Sequence, residues 1–275
     1  MVVAVYFAVH GRLKVLRVFL EALKKLKHPD VEFMPFAVYS DDDEGKILKE
    51  YGIRSLKYPN EYIGEKKNAG LLELLKLDWD YMMELGSDDL VNPALIDLYL
   101  PLWERGVNCF GVNSCYFVDV KTRRVALWEH NYAIGAGRCI KRSVFDGFNQ
   151  SWTVRYKSSA VVGDESYGKG KMMTYRRDIA EKLVDSGVCV LIEDKSEPMR
   201  LWTDTKNIAL DADSEFRLGI NGFSIRVIKA PPLVLDIKNG ENIHAFDAFE
   251  DRVIDKDLGE LERDFSWRLA DLTDG

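Results

Sequence analysis

The sequence predicts an α/β protein with a mostly parallel central sheet flanked by helices. Three observations carry this expectation. Apolar runs of strand length recur at Val2–His10, Val31–Tyr39 and Tyr81–Leu85. Stretches with apolar residues at helical spacing separate them. Each run ends in polar or acidic residues, with a helix-like segment following rather than a tight hairpin. Strands joined through helices pair in parallel and bring their carboxyl ends to one edge.

Taken in order, Val2–His10 is a first buried strand, and Leu16, Phe19, Leu20 and Leu23 place a helix over Lys14–Leu26. Val31–Tyr39 is a second strand, ending in Ser40-Asp41-Asp42-Asp43. A short helix, Glu44–Tyr51, is closed by Gly52. Ile53–Tyr58 reads as an edge strand. Lys66–Leu77 is a helix whose inner face carries Leu71, Leu74 and Leu75. Tyr81–Leu85 runs into Gly86-Ser87-Asp88-Asp89, and Asn92-Pro93 caps a helix reaching Arg105. The pattern then changes. Cys109–Val120 and Arg124–Trp128 form a hairpin around Lys121-Thr122, a glycine-rich stretch covers Ile134–Arg138, and Lys141–Phe148 is a short helix. Asp164–Ser186 is mostly helical, Val188–Glu193 and Phe223–Ile228 are strands, and Leu258–Leu272 is one amphipathic helix carrying Leu261, Phe265, Trp267 and Leu269.

Composition narrows the class. The 275 residues, 47% hydrophobic and 30% charged, are those of a soluble globular protein. The longest apolar run, Met1–Val9, is half a membrane span and has no basic start, so neither a membrane span nor a signal peptide is expected. Cys109, Cys115, Cys139 and Cys189 form no CxxC pair or zinc spacing, which suits reduced thiols in a cytoplasmic protein. The net charge of −7 argues mildly against nucleic acid as a partner of the whole surface. Basic residues do cluster at Lys121–Arg124, Arg138–Arg142 and Lys169–Arg177, as solvated faces or as a channel for an anionic substrate.

The chemistry concentrates at strand ends. His10-Gly11-Arg12 closes the first strand, Asp41 and Asp42 the second, Asp88 and Asp89 the fourth. Adjacent carboxylates in a crevice are costly without a positive partner, and a divalent cation shared with phosphates is the usual one. The plainer reading is that these aspartates cap the next helix. Carboxylates suit ribose hydroxyls or a base amide, and cations suit phosphate. Gly64-Glu65-Lys66-Lys67-Asn68-Ala69-Gly70 opens a helix whose start favours anions, yet neither a P-loop nor a GxGxxG fingerprint is present.

This order of residues resembles the nucleotide-diphospho-sugar glycosyltransferases of the GT-A fold, in particular the family-2-like group and its short phage-encoded members. The resemblance covers about residues 1–105 well and the remainder loosely. It implies a single GT-A domain over 1–275, with a nucleotide-binding half (1–105), a donor-sugar and acceptor half (106–250) and a C-terminal helix (251–275). In that family the acid after the second strand grips the nucleoside, which falls on Asp41 and Asp42. The family's R-N-x-G helix start is matched by Lys67-Asn68-Ala69-Gly70. The D-x-D motif, which binds Mn²⁺ or Mg²⁺ on the donor diphosphate, is matched in part: Gly86 stands at its first aspartate, Ser87 in its middle, Asp88 at its second, with Asp89 next. A metal-binding histidine late in some members corresponds to His244, with Lys238 near the diphosphate. The base that deprotonates the acceptor corresponds to Asp164, or to Glu165 beside it. Gly135, Ala136, Gly137 and Arg138 resemble the segment lining the donor sugar, and Trp128 falls on the acceptor side. His10 and Arg12 complete the nucleotide set.

The implied activity is transfer of a hexosyl or pentosyl group from a nucleotide-diphosphate sugar to an acceptor hydroxyl, metal-dependent and inverting. The acceptor is open among glycan, lipid, protein and modified DNA base, and the oligomeric state is not specified. Two alternatives remain: a sugar nucleotidyltransferase, and a non-catalytic module that binds nucleotide-sugars.

Overall fold

The computed structural model describes residues 1–146, 151–162, 165–195, 200–203, 210–240 and 246–273. The first elements alternate: β1 (Val2–Ala8), α1 (Leu13–Lys25), β2 (Glu32–Tyr39), α2 (Asp42–Glu50), β3 (Arg54–Lys57), α3 (Ile63–Leu74) and β4 (Tyr81–Gly86). There follow β5 (Asp89–Val91), α4 (Ala94–Glu104), β6 (Cys109–Val112), β7 (Ser114–Asp119), β8 (Arg124–Glu129), β9 (Cys139–Lys141) and α5 (Arg142–Asp146). Next are β10 (Ser151–Tyr156), β11 (Ala160–Val162), β12 (Glu165–Tyr167), β13 (Met172–Arg176), α6 (Arg177–Asp185) and β14 (Cys189–Lys195). The chain closes with α7 (Leu210–Ile220), β15 (Arg226–Ile228), β16 (Val234–Lys238), a 3₁₀ segment (Phe246–Arg252), β17 (Val253–Ile254), α8 (Leu258–Asp264) and α9 (Ala270–Thr273).

Among the described residues a seven-stranded sheet runs in the order β15-β6-β9-β4-β1-β2-β3. The pairs β4–β1, β1–β2, β2–β3 and β15–β6 are parallel, and only β9 runs against its neighbours. The expected class, α/β with a mostly parallel sheet between helices, is what the chain adopts. Val3 to Phe7 are buried on both faces of β1, which explains an apolar run without alternation. One face packs on α1 through Val15, Phe19 and Leu20, the other on α3 through Leu71 and Leu74.

A second sheet, β17-β8-β7-β16-β5, stands beside the first. The chain leaves the central sheet at Gly86 and enters the second at Asp89, so Ser87 and Asp88 bridge a seam between sheets. There β5 pairs with β16, placing Asp89 opposite Asp236.

Several expected elements take another form. Cys109–Val120 is not one strand: it breaks at buried Asn113 into β6 of the central sheet and β7 of the second, while the β7–β8 hairpin stands as expected. Asn113 holds that break by exchanging bonds with the His130 backbone. Among the described residues of the Asp164–Ser186 stretch, only α6 is helical. Met172–Arg176 before it pairs with β10, an antiparallel partner that overrides helical propensity. The C-terminal amphipathic stretch is two short helices, α8 and α9, broken where Ser266 adopts φ 58°. That turn is what lets Leu261, Phe265, Trp267 and Leu269 all reach the core.

Candidate active site

Because β1, β2 and β4 are parallel, their carboxyl ends share one edge, and a cleft of about 550 Å³ opens there between the two sheets. At its centre Asp88, Asp89 and Asp236 present carboxylate oxygens within 4.8 Å of one another. Gly86 N–H donates to Asp89 Oδ2 at 2.5 Å and fixes that side chain. The Ile237 N–H donates to the Asp88 carbonyl at 3.0 Å, tying β16 to the seam. A Cβ at position 86 would lie 2.6 Å from Asp88 Oδ1 and 3.0 Å from Asp89 Oδ2. The glycine at the first position of the motif is therefore a steric requirement of this carboxylate arrangement. The third carboxylate comes from Asp236, across the sheet.

Two cations face the three acids. Arg12 Nη1 donates to Asp88 Oδ2 at 2.6 Å, and Lys238 Nζ donates to Asp236 Oδ2 at 2.7 Å. Burial opposes ionisation of Asp88, but Arg12, with Lys238 behind it, more than offsets this and holds the carboxyl below its usual range. Burial pushes Asp89 well above its usual range, and the charges of Asp236 and Asp88 add to the shift. Burial likewise raises Asp236 to about 7 against the pull of Lys238. No hydrogen-bond donor among the described residues reaches buried Asp236 Oδ1. A crowded carboxylate trio with an orphaned oxygen, in a cradle kept open by a glycine, fits an oxygen-seeking divalent cation.

Helix α3 supplies the next wall. Lys67 pairs with buried Glu84 of β4 and lies 4.3 Å over the Trp202 ring. Lys66, fully buried, donates to the Val9 carbonyl, and burial lowers it to about 8. Both lysines and Glu84 line the cleft. Asn68 does not. Its amide donates to the Trp202 carbonyl at 2.6 Å and its oxygen accepts the Trp202 N–H at 3.1 Å, so it clamps a distant segment. A Cβ on Gly70 would meet Val38 Cγ2 at 1.9 Å, which explains a glycine where helix and sheet approach closely.

At the end of β2 the acidic turn is engaged in contacts within the protein. Asp41 starts α2, Asp42 is exposed and paired with Lys57, and Asp43 pairs with Lys46. Neither Asp41 nor Asp42 lines the cleft. The carboxylate that matters here is Glu44, which is buried. It accepts from Gly11 N–H at 2.6 Å, Ser40 N–H at 2.8 Å and Asp41 N–H at 3.0 Å. It thereby welds the loop after β1 to the loop after β2. The signal was the capping-box position three residues after Asp41.

The far wall is aromatic. Phe249 stacks on Phe117 at 4.0 Å, Trp128 stands 5.5 Å from Phe117, and Tyr132 lies beyond, half exposed. Gly135 and Ala136 also line the cleft, as do Ser87 and His10, whose Nδ1 lies 2.8 Å from the Asn60 amide. Gly137 faces Val234 and Leu95 instead. Arg138 is fully buried, donating to Ser214 and the Ala133 carbonyl, outside the cleft. Asp164 and His244 lie outside the described residues, and Glu165 is described only as part of β12. The four cysteines are buried and form no disulfide among the described residues. Among the described residues no helix is long and apolar enough to cross a membrane.

No family model and no curated protein matches the sequence. Solved structures similar to the chain include S. aureus TarS 1-349 in complex with UDP-GlcNAc, 14% identical at a TM-score of 0.49, the match covering 88% of this chain and 60% of that one. Another is glucosyl-3-phosphoglycerate synthase from Mycobacterium tuberculosis in complex with Mn²⁺, UDP and glucosyl-3-phosphoglycerate, 13% identical at 0.37, covering 54% and 59%. A third is 4-diphosphocytidyl-2C-methyl-D-erythritolsynthase from Anaerococcus prevotii, 13% identical at 0.41, covering 83% and 87%. The chain thus spans 60% of the length of TarS 1-349. These are likenesses of layout; what the cleft can do rests on its own residues.

Proposed function

We propose that the protein is a metal-dependent glycosyltransferase that takes its sugar from a nucleotide-diphosphate donor. The observation that carries this reading is the Asp88–Asp89–Asp236 trio at the carboxyl edge of β4, inside a cleft also lined by Arg12, Lys66, Lys67 and Lys238. Carboxylates for a cation and cations for phosphate, side by side, are what a metal–diphosphate needs. The motif order over residues 1–105 supports the same class.

Asp88, Asp89 and Asp236 would hold Mn²⁺ or Mg²⁺, with His244 as a further candidate ligand. The ion would supply charge neutralisation for the departing nucleoside diphosphate. Lys238 keeps Asp236 oriented, and Lys67 presents its charge to the donor from the opposite wall. The aromatic wall of Phe249, Trp128 and Tyr132 offers ring faces to the acceptor, while Gly135 and Ala136 leave room for the donor sugar. Asp164, or Glu165, would take the acceptor proton in an inverting displacement.

The test is release of nucleotide from a panel of UDP-, GDP-, CMP- and dTDP-sugars with and without Mn²⁺. Metal-dependent release from one donor, lost in Asp236→Asn with the fold intact by circular dichroism, is the expected result. Release of pyrophosphate during synthesis of the activated sugar would move the protein to the nucleotidyltransferases. Donor binding without turnover in the presence of candidate acceptors would make it a binding module.

A further inference from the structure

Arg12 occupies an unusual place. It is a non-glycine residue at φ 53°, directly after Gly11 at φ 60°, and a left-handed backbone of this kind persists where the surroundings enforce it. The enforcement is visible: Gly11 N–H is bound by Glu44, and the Arg12 guanidinium is drawn onto Asp88 Oδ2 at 2.6 Å, with both side chains largely buried. Arg12 therefore holds one oxygen of a carboxylate that a cation at the trio would draw on. In formal charge the cleft is balanced: Arg12, Lys66, Lys67 and Lys238 stand against Glu84, Asp88, Asp89 and Asp236. A divalent cation alone would add two positive charges beside Arg12, and a diphosphate alone would add negative charge beside three carboxylates. The two together leave the balance nearly as it was.

We infer that Arg12 couples the two ligands: it competes with the metal for Asp88, and once displaced it becomes a phosphate-binding residue for the donor. Its guanidinium already lines the cleft, so release from Asp88 leaves its donors free to take diphosphate oxygens. Metal and diphosphate then bind cooperatively, each removing what disfavours the other, and either one alone binds weakly. The inference rests on the metal–diphosphate reading of the site, and its test separates the two.

The variants are Arg12→Asn, chosen because asparagine tolerates the left-handed backbone, and Arg12→Lys, which keeps the charge. The probes are Mn²⁺ alone, followed by electron paramagnetic resonance of the free ion, and inorganic pyrophosphate titrated at saturating Mn²⁺ by calorimetry. Mn²⁺ alone should bind Arg12→Asn at least about tenfold more tightly than the parent, because a unit charge a few ångströms away is removed. Mn²⁺–pyrophosphate should bind the same variant about tenfold more weakly, a loss expected of one charge-assisted contact. Arg12→Lys should keep the weak Mn²⁺ binding of the parent, and this result stands even if the asparagine variant does not fold. Equal Mn²⁺ affinity in parent and Arg12→Asn, or tight Mn²⁺ binding by Arg12→Lys, would overturn the competition. Tighter Mn²⁺ with unchanged pyrophosphate affinity would overturn the phosphate role. No Mn²⁺ binding to any form, with or without pyrophosphate, would remove the metal site itself and this coupling with it.

Discussion

Gly86 and Lys66 show how much a single position decides. At Gly86 any side chain would push into Asp88 and Asp89, both of which are already held, one by Arg12 and the other by the Gly86 amide itself. Gly86→Ala should leave stability within about 1 kcal/mol, since the position is partly open and its backbone unstrained. Mn²⁺ affinity should nevertheless fall by about tenfold or more, because carboxylate geometry is what the ion reads. Restoring an aspartate at 86 should not restore a stronger site. Lys66 makes a different prediction. Burial lowers its ammonium from 10.5 to about 8, so between these values the unfolded chain binds a proton that the folded chain has released. Folding stability should therefore rise with pH across that window, and below about pH 8 the buried charge is a standing cost. Thermal melts of the parent against Lys66→Met between pH 7 and pH 10 check this: the parent should gain on the variant as pH rises. A constant difference would mean that Lys66 is neutral, or solvated, throughout.

Elements carry the next share. The K-N-x-G start of α3 was readable in the sequence, but three of its residues do three different jobs. Lys67 faces the cleft, Asn68 clamps Trp202, and Gly70 lets the helix settle on Val38 and Tyr6. Gly70→Ala should cost about 1–3 kcal/mol or more, from overpacking against a core with no slack. Asn68→Ala should cost a similar amount by stranding two backbone groups of Trp202. Urea denaturation measures both, and in Asn68→Ala any donor that binds should do so with little change, since that side chain does not line the cleft. The acidic turn after β2 is ambiguous for a physical reason: three aspartates before a helix are equally a cap and a ligand set, and only tertiary position separates the two. Asp236 was missed because its importance depends on the pairing of β16 with β5. Even so, Asp236 and Lys238 are two apart in a strand and share a face, a pattern that was present in the sequence.

At the scale of the whole molecule, the parallel half was legible because its strands are buried on both faces and its helices announce themselves by period. The second half was not, because its strands are short, several have three residues or fewer, and they change sheets at Asn113 and Ser87–Asp88 with little local signal. The candidate site inherits that division. Its β4 carboxylates and the loop after β1 were readable, while its third carboxylate and its aromatic wall depend on how distant segments pair. The seam itself has a further consequence. One of the three carboxylates stands on the short crossing from one sheet to the other, the second opens β5 directly after it, and the third hangs from the strand that pairs with β5. An ion gripping all three acts as a rivet through that joint. Amide protons of Asp89–Val91 and Val234–Lys238 should therefore exchange with deuterium more slowly when Mn²⁺ and donor are present. Those of Arg54–Lys57, at the opposite edge of the central sheet, should keep their rates, so mass spectrometry of these segments would read the joint tightening as a local event.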